Sequence, residues 1–202
     1  MEVPQDPPRY LETRIETART ILRPWDLEHD VENAFAIYSD PEVAEFLTGI
    51  VEESLESQRA MLEKIVSSYQ RLEGGFGSYA IELKETRQVV GCGLLKPLPR
   101  TEDLEAWKAF RDGGPSPPVH EIEVGWHLAR AYWGHGLATE AGTALLDYAF
   151  TVLNLKEVYA ILYRANRRSA AVARRLAMEH LGPTEAFYGI DGELYRATVR
   201  PA

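Results

Sequence analysis

The segment that most constrains the fold is residues 120–152, because a strand pattern leads through two glycines directly into a helix pattern. Residues 120–128 (HEIEVGWHL) alternate strictly between apolar and polar side chains, as a strand does. Two glycines follow at 134 and 136, and residues 137–152 place their apolar side chains on one helical face. The chain therefore predicts a strand, a tight turn and a helix N-terminus in immediate succession.

This turn has the properties of an anion site. Glycine lowers helix stability, so Gly134 and Gly136 at a helix start need a reason. The first N–H groups of a helix lack partners, and the helix dipole favours negative charge there. Glycines also remove the side chains that would hold an anion away from those groups. The pattern predicts a phosphate-containing ligand bound by main-chain N–H groups.

Three phosphate ligands were compared with this loop. A nucleotide-binding P-loop requires a lysine after its glycines, and none is present. A dinucleotide-binding loop requires a third glycine, where this chain has Thr139. It also requires an acidic residue at the end of the next strand, whereas Glu157 precedes that strand. The third candidate is the diphosphate of coenzyme A, and its support comes from the family that this segment resembles.

The same segment carries a family resemblance. Residues 123–150 (EVGWHLARAYWGHGLATEAGTALLDYAF) resemble the acetyl-CoA-binding motif of the GNAT superfamily, most closely its ribosomal-protein N-terminal acetyltransferase branch. The resemblance continues in residues 17–27 (TARTILRPWDL) and in the step from Asn166 to Ser169, and it covers roughly residues 15–200. It implies a single α+β domain with a mixed, mostly antiparallel central sheet flanked by helices. It also implies acetyl-CoA as co-substrate, without a metal.

The resemblance implies a set of coenzyme-binding residues and two departures from the family pattern. Trp133 stands where glutamine or arginine is usual, and His135 or the arginines at 164, 167, 168, 174 and 175 are the candidates to supply the missing cation. Ala173 stands where many members have a tyrosine acid. The implied coenzyme-binding residues are Trp126, His127, Leu128, Trp133, Gly134, His135, Gly136, Leu137, Ala138, Thr139, Asn166 and Ser169.

Acetyl transfer to an amine requires a base, an oxyanion donor and protonation of the leaving thiolate. Glu123 is the predicted base, with Glu121 and His127 as alternates on the same strand face; a solvated or salt-bridged polar face is the competing interpretation. A backbone N–H between Trp126 and Leu128 is the predicted oxyanion donor. Ser169 is the proton donor that matches the family, although a helix cap or a contact with coenzyme A is the preferred interpretation of this residue.

The remaining patterns complete a single domain at residues 15–202, preceded by a flexible arm at 1–14. An excursion at 97–118 contains a short predicted helix, 102–111, whose Trp107 and Phe110 either line the acceptor site or attach the excursion to the body. Two further strands are predicted within 184–199 around a turn at 190–192. The other predicted strands are 19–24, 77–83, 88–95 and 157–163, and the other predicted helices are 27–39, 52–72 and 166–177.

Composition restricts the function classes. A net charge of −9 argues against nucleic-acid binding and is compatible with a cationic substrate. The chain has no apolar run of membrane-spanning length, no secretory signal and a single cysteine, so we expect no membrane partner and a cytoplasmic location. The predicted activity is acetyl transfer to a protein N-terminus or a small amine by direct attack. The alternative is a coenzyme-binding sensor or interaction module without turnover, and a homodimer is possible in either case.

Overall fold

The computed structural model describes residues 9–47, 51–72 and 74–199, and these contain one eight-stranded sheet. In chain order the strands are β1 (Ile15–Glu16), β2 (Thr20–Arg23), β3 (Gly77–Leu83), β4 (Val89–Leu98), β5 (Glu121–Leu128), β6 (Glu157–Tyr163), β7 (Glu179–Thr184) and β8 (Gly192–Thr198). Their spatial order is β1-β2-β3-β4-β5-β6-β8-β7, and only β5 and β6 pair in parallel. The mixed, mostly antiparallel sheet predicted from the sequence is confirmed.

Three of the six helices in the described residues begin at a residue whose side chain accepts one of the first free N–H groups. Ser54 accepts from the N–H of Ser57 at 3.0 Å before the helix that starts at residue 55, and Asp40 accepts from the N–H of Glu42 at 3.0 Å before the helix that starts at residue 41. Each predicted helix is found, with shorter bounds. The helices are α1 (Val31–Tyr38), α2 (Pro41–Ala44), α3 (Leu55–Gln70), α4 (Leu104–Arg111), α5 (Leu137–Thr151) and α6 (Arg167–Arg175). None of the helices in the described ranges is long and apolar enough to cross a membrane.

The two faces of the sheet carry different helices, and β5 contributes side chains to both. Trp126 lies on the α5 face, where a Cβ built at Gly142 would come within 3.3 Å of its ring. His127 lies on the other face and contacts Tyr38 of α1. Val124 and Leu145 are completely buried in the core between β5 and α5. The predicted alternation along β5 therefore separates two environments, although Glu123 is buried as well.

The sheet opens between β5 and β6. Antiparallel pairing of β4 with β5 runs from Gly91–Leu128 to Leu98–Glu121, whereas β5 and β6 share the single pair Glu123–Tyr159 among the described residues. The N–H of Ala129 donates to the carbonyl of Val90 at 2.8 Å, on the β4 side. Because backbone groups alternate between the two edges of a strand, the N–H groups of Trp126 and Leu128 face the opening.

The prediction of a tight turn at 190–192 between two terminal strands is wrong. The first of these strands, β7, ends at Thr184, and residues 185–191 form a longer loop before β8. This loop is held by distant backbone: the N–H of Thr101 donates to the carbonyl of Ala186 at 2.8 Å, and its hydroxyl donates to that of Glu185 at 2.7 Å. Contacts with residues more than 80 positions away replace the local turn signal.

The prediction of a flexible arm at 1–14 is also wrong for the part that the structure describes. Tyr10 is 1% exposed, and its hydroxyl donates to the carbonyl of Ser78 at 2.9 Å. Its ring centroid lies 5.6 Å from that of Tyr69 and 5.5 Å from that of Tyr79. Burial of an aromatic ring stabilises this segment despite its polar, proline-rich composition. Residues 1–8 lie outside the described ranges.

Candidate active site

A cavity of about 1300 Å³ lies at the opening between β5 and β6. One end, called here the glycine-loop end, is formed by residues 133, 134, 136–139 and 166–169. The other, called the aromatic end, is formed by Tyr69, Trp107, Phe110 and Tyr188 together with Glu123. Glu123 precedes Leu128 by five residues, which is about 16 Å along an extended strand. One continuous cavity therefore joins a main-chain anion site to a buried carboxylate.

The two glycines of the loop are required by backbone conformation. Gly134 has φ +81° and Gly136 has φ +78°, values that other residues rarely adopt. A Cβ built at Gly134 would meet no atom of the described residues within 4 Å, and one built at Gly136 would meet the Arg19 guanidinium at 3.6 Å. The protein therefore leaves room for side chains here, and the left-handed turn is what selects glycine. Gly136 is also the N-cap of α5, where no described side chain accepts the free N–H groups.

Trp133 stands where the family pattern has glutamine or arginine, and Arg168 brings a positive charge to this position. The indole N–H of Trp133 donates to the carbonyl of Leu128 at 2.8 Å. The guanidinium of Arg168 lies 4.2 Å from the centroid of the Trp133 ring, a cation–π distance, and Arg168 lines the cavity. Stacking on the indole thus places an arginine beside the glycine loop.

His135 is the one predicted coenzyme-binding residue that the structure places elsewhere. It is exposed and lines a separate, smaller cavity with Arg19 and Lys84, on the far side of the loop. Successive residues of a tight turn point in different directions, so proximity in sequence to the glycines was misleading. Arg164, another candidate cation, pairs with Asp191 at 2.7 Å instead.

The start of α6 is capped by Asn166, so the interpretation of Ser169 as the cap is wrong. Asn166 Oδ1 accepts the N–H of Ser169 at 3.0 Å. The amide nitrogen of Asn166 and the hydroxyl of Ser169 make no side-chain hydrogen bond with the described residues, and both residues line the cavity. Ala173, in the position of the usual tyrosine, is completely buried in the core.

Eleven of the twelve predicted coenzyme-binding residues line this cavity. Two of them also have buried polar atoms without a partner among the described residues, Trp126 Nε1 and His127 Nδ1. Such atoms normally have partners, so these two suit a bound polar ligand. The eleven residues are Trp126, His127, Leu128, Trp133, Gly134, Gly136, Leu137, Ala138, Thr139, Asn166 and Ser169.

Glu123 is salt-bridged, as the competing interpretation of this strand face allowed, and it lies in a cluster whose other members the sequence did not identify. It is 7% exposed, its Oε2 lies 2.8 Å from Lys96 Nζ, and the hydroxyl of Tyr188 donates to the same oxygen. Burial raises the pKa of Tyr188 well above its ordinary value of 10.0, and the Glu123 charge raises it further, so Tyr188 keeps its proton. Lys96 is opposite Glu123 in the register of β4 with β5, but α4 and its flanking loops separate the two strands, so no turn in the sequence fixes this pairing. No pattern in the neighbouring sequence identifies Tyr188, which the 185–191 loop places beside Glu123.

The two alternates to Glu123 are less suited to act as a base. Arg100 donates two hydrogen bonds to Glu121, at 2.5 and 3.1 Å, and Glu121 does not line the cavity. His127 does line the cavity, with Nε2 2.9 Å from the Tyr38 hydroxyl. Burial lowers the pKa of His127 to about 4, which makes it a weak base at neutral pH. Within the described residues no three histidine, cysteine or acidic side chains are grouped to hold a metal ion.

Comparison with known proteins agrees with this geometry. The family model for the acetyltransferase (GNAT) domain matches residues 19–179. The uncharacterized N-acetyltransferase p20 of Bacillus licheniformis is 30% identical over 179 residues, which cover 88% of this chain and 89% of the relative. The spermidine N(1)-acetyltransferase of Escherichia coli K12 is 38% identical over 73 residues, 36% of this chain and 39% of the relative.

A solved structure extends the likeness to nearly the whole fold. RimL, a ribosomal L7/L12 alpha-N-protein acetyltransferase in complex with coenzyme A, superposes with a TM-score of 0.69. The two chains are 17% identical, and the match covers 93% of this chain and 98% of RimL, so the likeness concerns the fold. With the family model matching most of the chain, and with the glycine loop and open cleft in place, the protein belongs to the GNAT family of N-acetyltransferases.

Proposed function

We propose that this protein transfers the acetyl group of acetyl-CoA to a primary amine by direct attack of the amine on the thioester. The observation that carries the proposal is the continuity of the cavity, which runs from the glycine loop to the buried Glu123. A two-substrate transfer without an enzyme intermediate requires both reactants in one enclosed space. The buried Cys92, whose pKa is raised to about 11 by burial, is not part of this cavity.

The glycine-loop end suits the coenzyme. The free N–H groups at the start of α5 and the stacked Arg168 guanidinium would hold the diphosphate. The amide of Asn166 and the indole N–H of Trp126 would meet polar groups of the pantetheine arm. The N–H groups of Trp126 and Leu128 at the open edge of β5 would stabilise the oxyanion that develops on the thioester carbonyl. The bound thioester supplies the electrophilic carbon and the thiolate leaving group.

The aromatic end suits the amine, because an ammonium has no lone pair until it loses a proton. Glu123 would accept that proton, while Lys96 and Tyr188 hold the carboxylate in one orientation. One N–C bond forms, the C–S bond breaks, and the sulfur receives a proton. We assign the transfer of that proton to Ser169, whose hydroxyl has no hydrogen-bond partner among the described residues: it donates to the sulfur and regains the second proton, which the attacking nitrogen loses.

The acceptor is proposed to be cationic. Glu52 is 8% exposed, lines the cavity and forms no ion pair with any described residue. A buried carboxylate is costly unless a positive partner satisfies it. Trp107 and Phe110, from the excursion at 97–118, add apolar surface elsewhere in the same cavity. A small polyamine and a peptide N-terminus are both consistent with this surface.

A thiol-release assay tests the proposal. Purified protein with acetyl-CoA is offered simple amines, polyamines and N-terminal peptides, and free coenzyme A is measured against reactions without amine. Release that depends on an amine, with a matching acetylated product by mass spectrometry, is the expected result. Calorimetry with acetyl-CoA runs in parallel. Tight binding without release for any amine would favour the coenzyme-binding module instead, an alternative that Ala173 in place of the usual tyrosine supports.

A further inference from the structure

A hydrogen-bonded cluster of Thr17, Arg19 and Glu140 links the glycine loop to the edge of the sheet. Glu140, in the first turn of α5, accepts hydrogen bonds from the Thr17 hydroxyl at 2.5 Å, the Arg19 N–H at 2.8 Å and Arg19 Nε at 2.7 Å. The same guanidinium donates through Nη1 to the carbonyl of His135 at 2.9 Å. One arginine therefore joins the β1–β2 segment, the helix start and the middle of the loop.

The hydrogen bond to His135 determines where the next N–H points. In a planar trans peptide the C=O and the following N–H point in opposite directions. With the His135 carbonyl directed at Arg19, the N–H of Gly136 is directed to the other side, where Gly136 lines the main cavity. Glycine on both sides of this stretch offers little resistance to rotation of the peptide. The orientation therefore needs an external restraint, and Arg19 provides it.

The charges of Arg19 and Glu140 also affect how well the loop can bind an anion. Burial raises the pKa of Glu140, but the hydrogen bonds from Thr17 and Arg19 outweigh that effect and hold it below its ordinary value. An ionised carboxylate this close to the loop would repel a diphosphate. Arg19 lies 2.7 Å from Glu140 and cancels that charge. The guanidinium is half exposed, so the pair contributes little to folding stability and more to local orientation.

We propose that Arg19 is a positioning residue, which holds the His135–Gly136 peptide with its N–H directed into the cavity and neutralises Glu140 behind the diphosphate site. The proposal rests on the proposed binding of coenzyme A at the glycine loop. It assigns a role in that binding to a residue that lies outside the cavity lining and more than 110 positions from the loop.

The experiment compares Arg19→Met and Arg19→Lys with Arg14→Met, which removes an exposed arginine from a neighbouring ion pair. Calorimetry measures the affinity for coenzyme A and for pantetheine, which lacks the diphosphate. We expect Arg19→Met to weaken coenzyme A binding about tenfold and to leave pantetheine binding unchanged. Arg19→Lys keeps the charge but cannot bridge both acceptors, and an intermediate loss is expected. Arg14→Met should match the wild type.

Steady-state kinetics and melting separate positioning from loosening of the fold. The KM for acetyl-CoA should rise with the loss of affinity, while kcat, the acceptor KM and the melting temperature stay close to wild-type values. Equal losses for coenzyme A and pantetheine, or unchanged affinity for both, would overturn the positioning role and leave the proposed function standing. Failure of the wild type to bind coenzyme A would overturn both.

Discussion

The two ends of the cavity are built in different ways. The glycine-loop end uses main-chain groups of consecutive residues, 133–139, and its shape follows from two left-handed glycines and a helix start. The aromatic end uses side chains from separate elements: Tyr69 from α3, Trp107 and Phe110 from α4, and Tyr188 from the loop before β8. The first suits a phosphate group, which backbone N–H groups recognise well. The second can change its chemistry by substitution without altering the first.

This difference leads to separable effects. Changes at the glycine loop should alter coenzyme binding and leave the acceptor kinetics unchanged. Changes at the aromatic end should do the reverse. Arg19, behind the loop, should behave as part of the coenzyme end. A substitution at the glycine-loop end that changed the acceptor kinetics, or one at the aromatic end that changed coenzyme binding, would contradict this separation.

The largest expected effect comes from Glu123→Gln. Loss of the proton acceptor should lower kcat/KM about 100-fold at neutral pH, and less as the pH approaches the pKa of the amine. The affinity for acetyl-CoA, measured by calorimetry, should stay within twofold. Glu121→Gln is the matched control, because that carboxylate pairs with Arg100 outside the cavity. If Glu123→Gln retains normal rates, the base lies elsewhere.

Gly134→Ala should have the next largest effect, and Gly113→Ala is its control. Both glycines have positive φ, +81° and +100°, and a Cβ at either would meet no described atom within 4 Å. Both substitutions should therefore destabilise the protein by about 1 kcal/mol through backbone strain. Only Gly134→Ala should weaken acetyl-CoA binding, about tenfold, with the acceptor KM unchanged. Equal coenzyme affinities for the two variants would contradict the anion role of the loop.

Glu52→Gln should have a smaller effect, confined to the acceptor. The KM for an amine with a second positive charge should rise about fivefold, equivalent to about 1 kcal/mol. The KM for a monoamine and the affinity for acetyl-CoA should not change. Glu56→Gln, an exposed carboxylate four residues along the chain, is the control. A uniform loss across all amines would show that Glu52 supports the local fold and does not select charge.

The smallest expected effect on activity concerns His127. Because its pKa is lowered to about 4, it is neutral above pH 5, and the pH–rate profile should show no inflection near its ordinary value of 6.5. Stability should respond instead. Between pH 6.5 and about 4 the unfolded chain binds a proton that the folded protein does not, so stability falls as the pH is lowered through this range. His127→Gln should flatten that dependence in melting experiments. An inflection near 6.5 that disappears in the variant would assign the base to His127.

Much of the fold could be predicted because its signals are local. The alternation in β5, the glycines at 134 and 136 and the apolar face of α5 each involve residues that are close in sequence. The wrong predictions share a cause, because each depends on a contact with residues that are distant in the sequence. Tyr10 was predicted to be flexible from its proline-rich surroundings, but it is buried against Tyr69 and Tyr79.

The direction of individual side chains could not be predicted in the same way. His135 lies between the two glycines, yet the turn directs it into a different cavity. Arg168 was one of five candidate cations, and only its stacking on Trp133 distinguishes it. Glu123 was predicted as the base from its strand face, but its partner Tyr188 depends on a loop that Thr101 holds in place.

Local sequence was thus sufficient for the strand, the left-handed turn and the helix start that make an anion site, because backbone conformation depends mainly on neighbouring residues. It was also sufficient for the family resemblance, which rests on that segment. Contacts between distant segments were needed to enclose the acceptor end, to pair Glu123 with Lys96 and Tyr188, and to place Arg19 behind the loop. A side chain's surroundings depend on how the whole chain packs, and packing is not encoded within any single stretch.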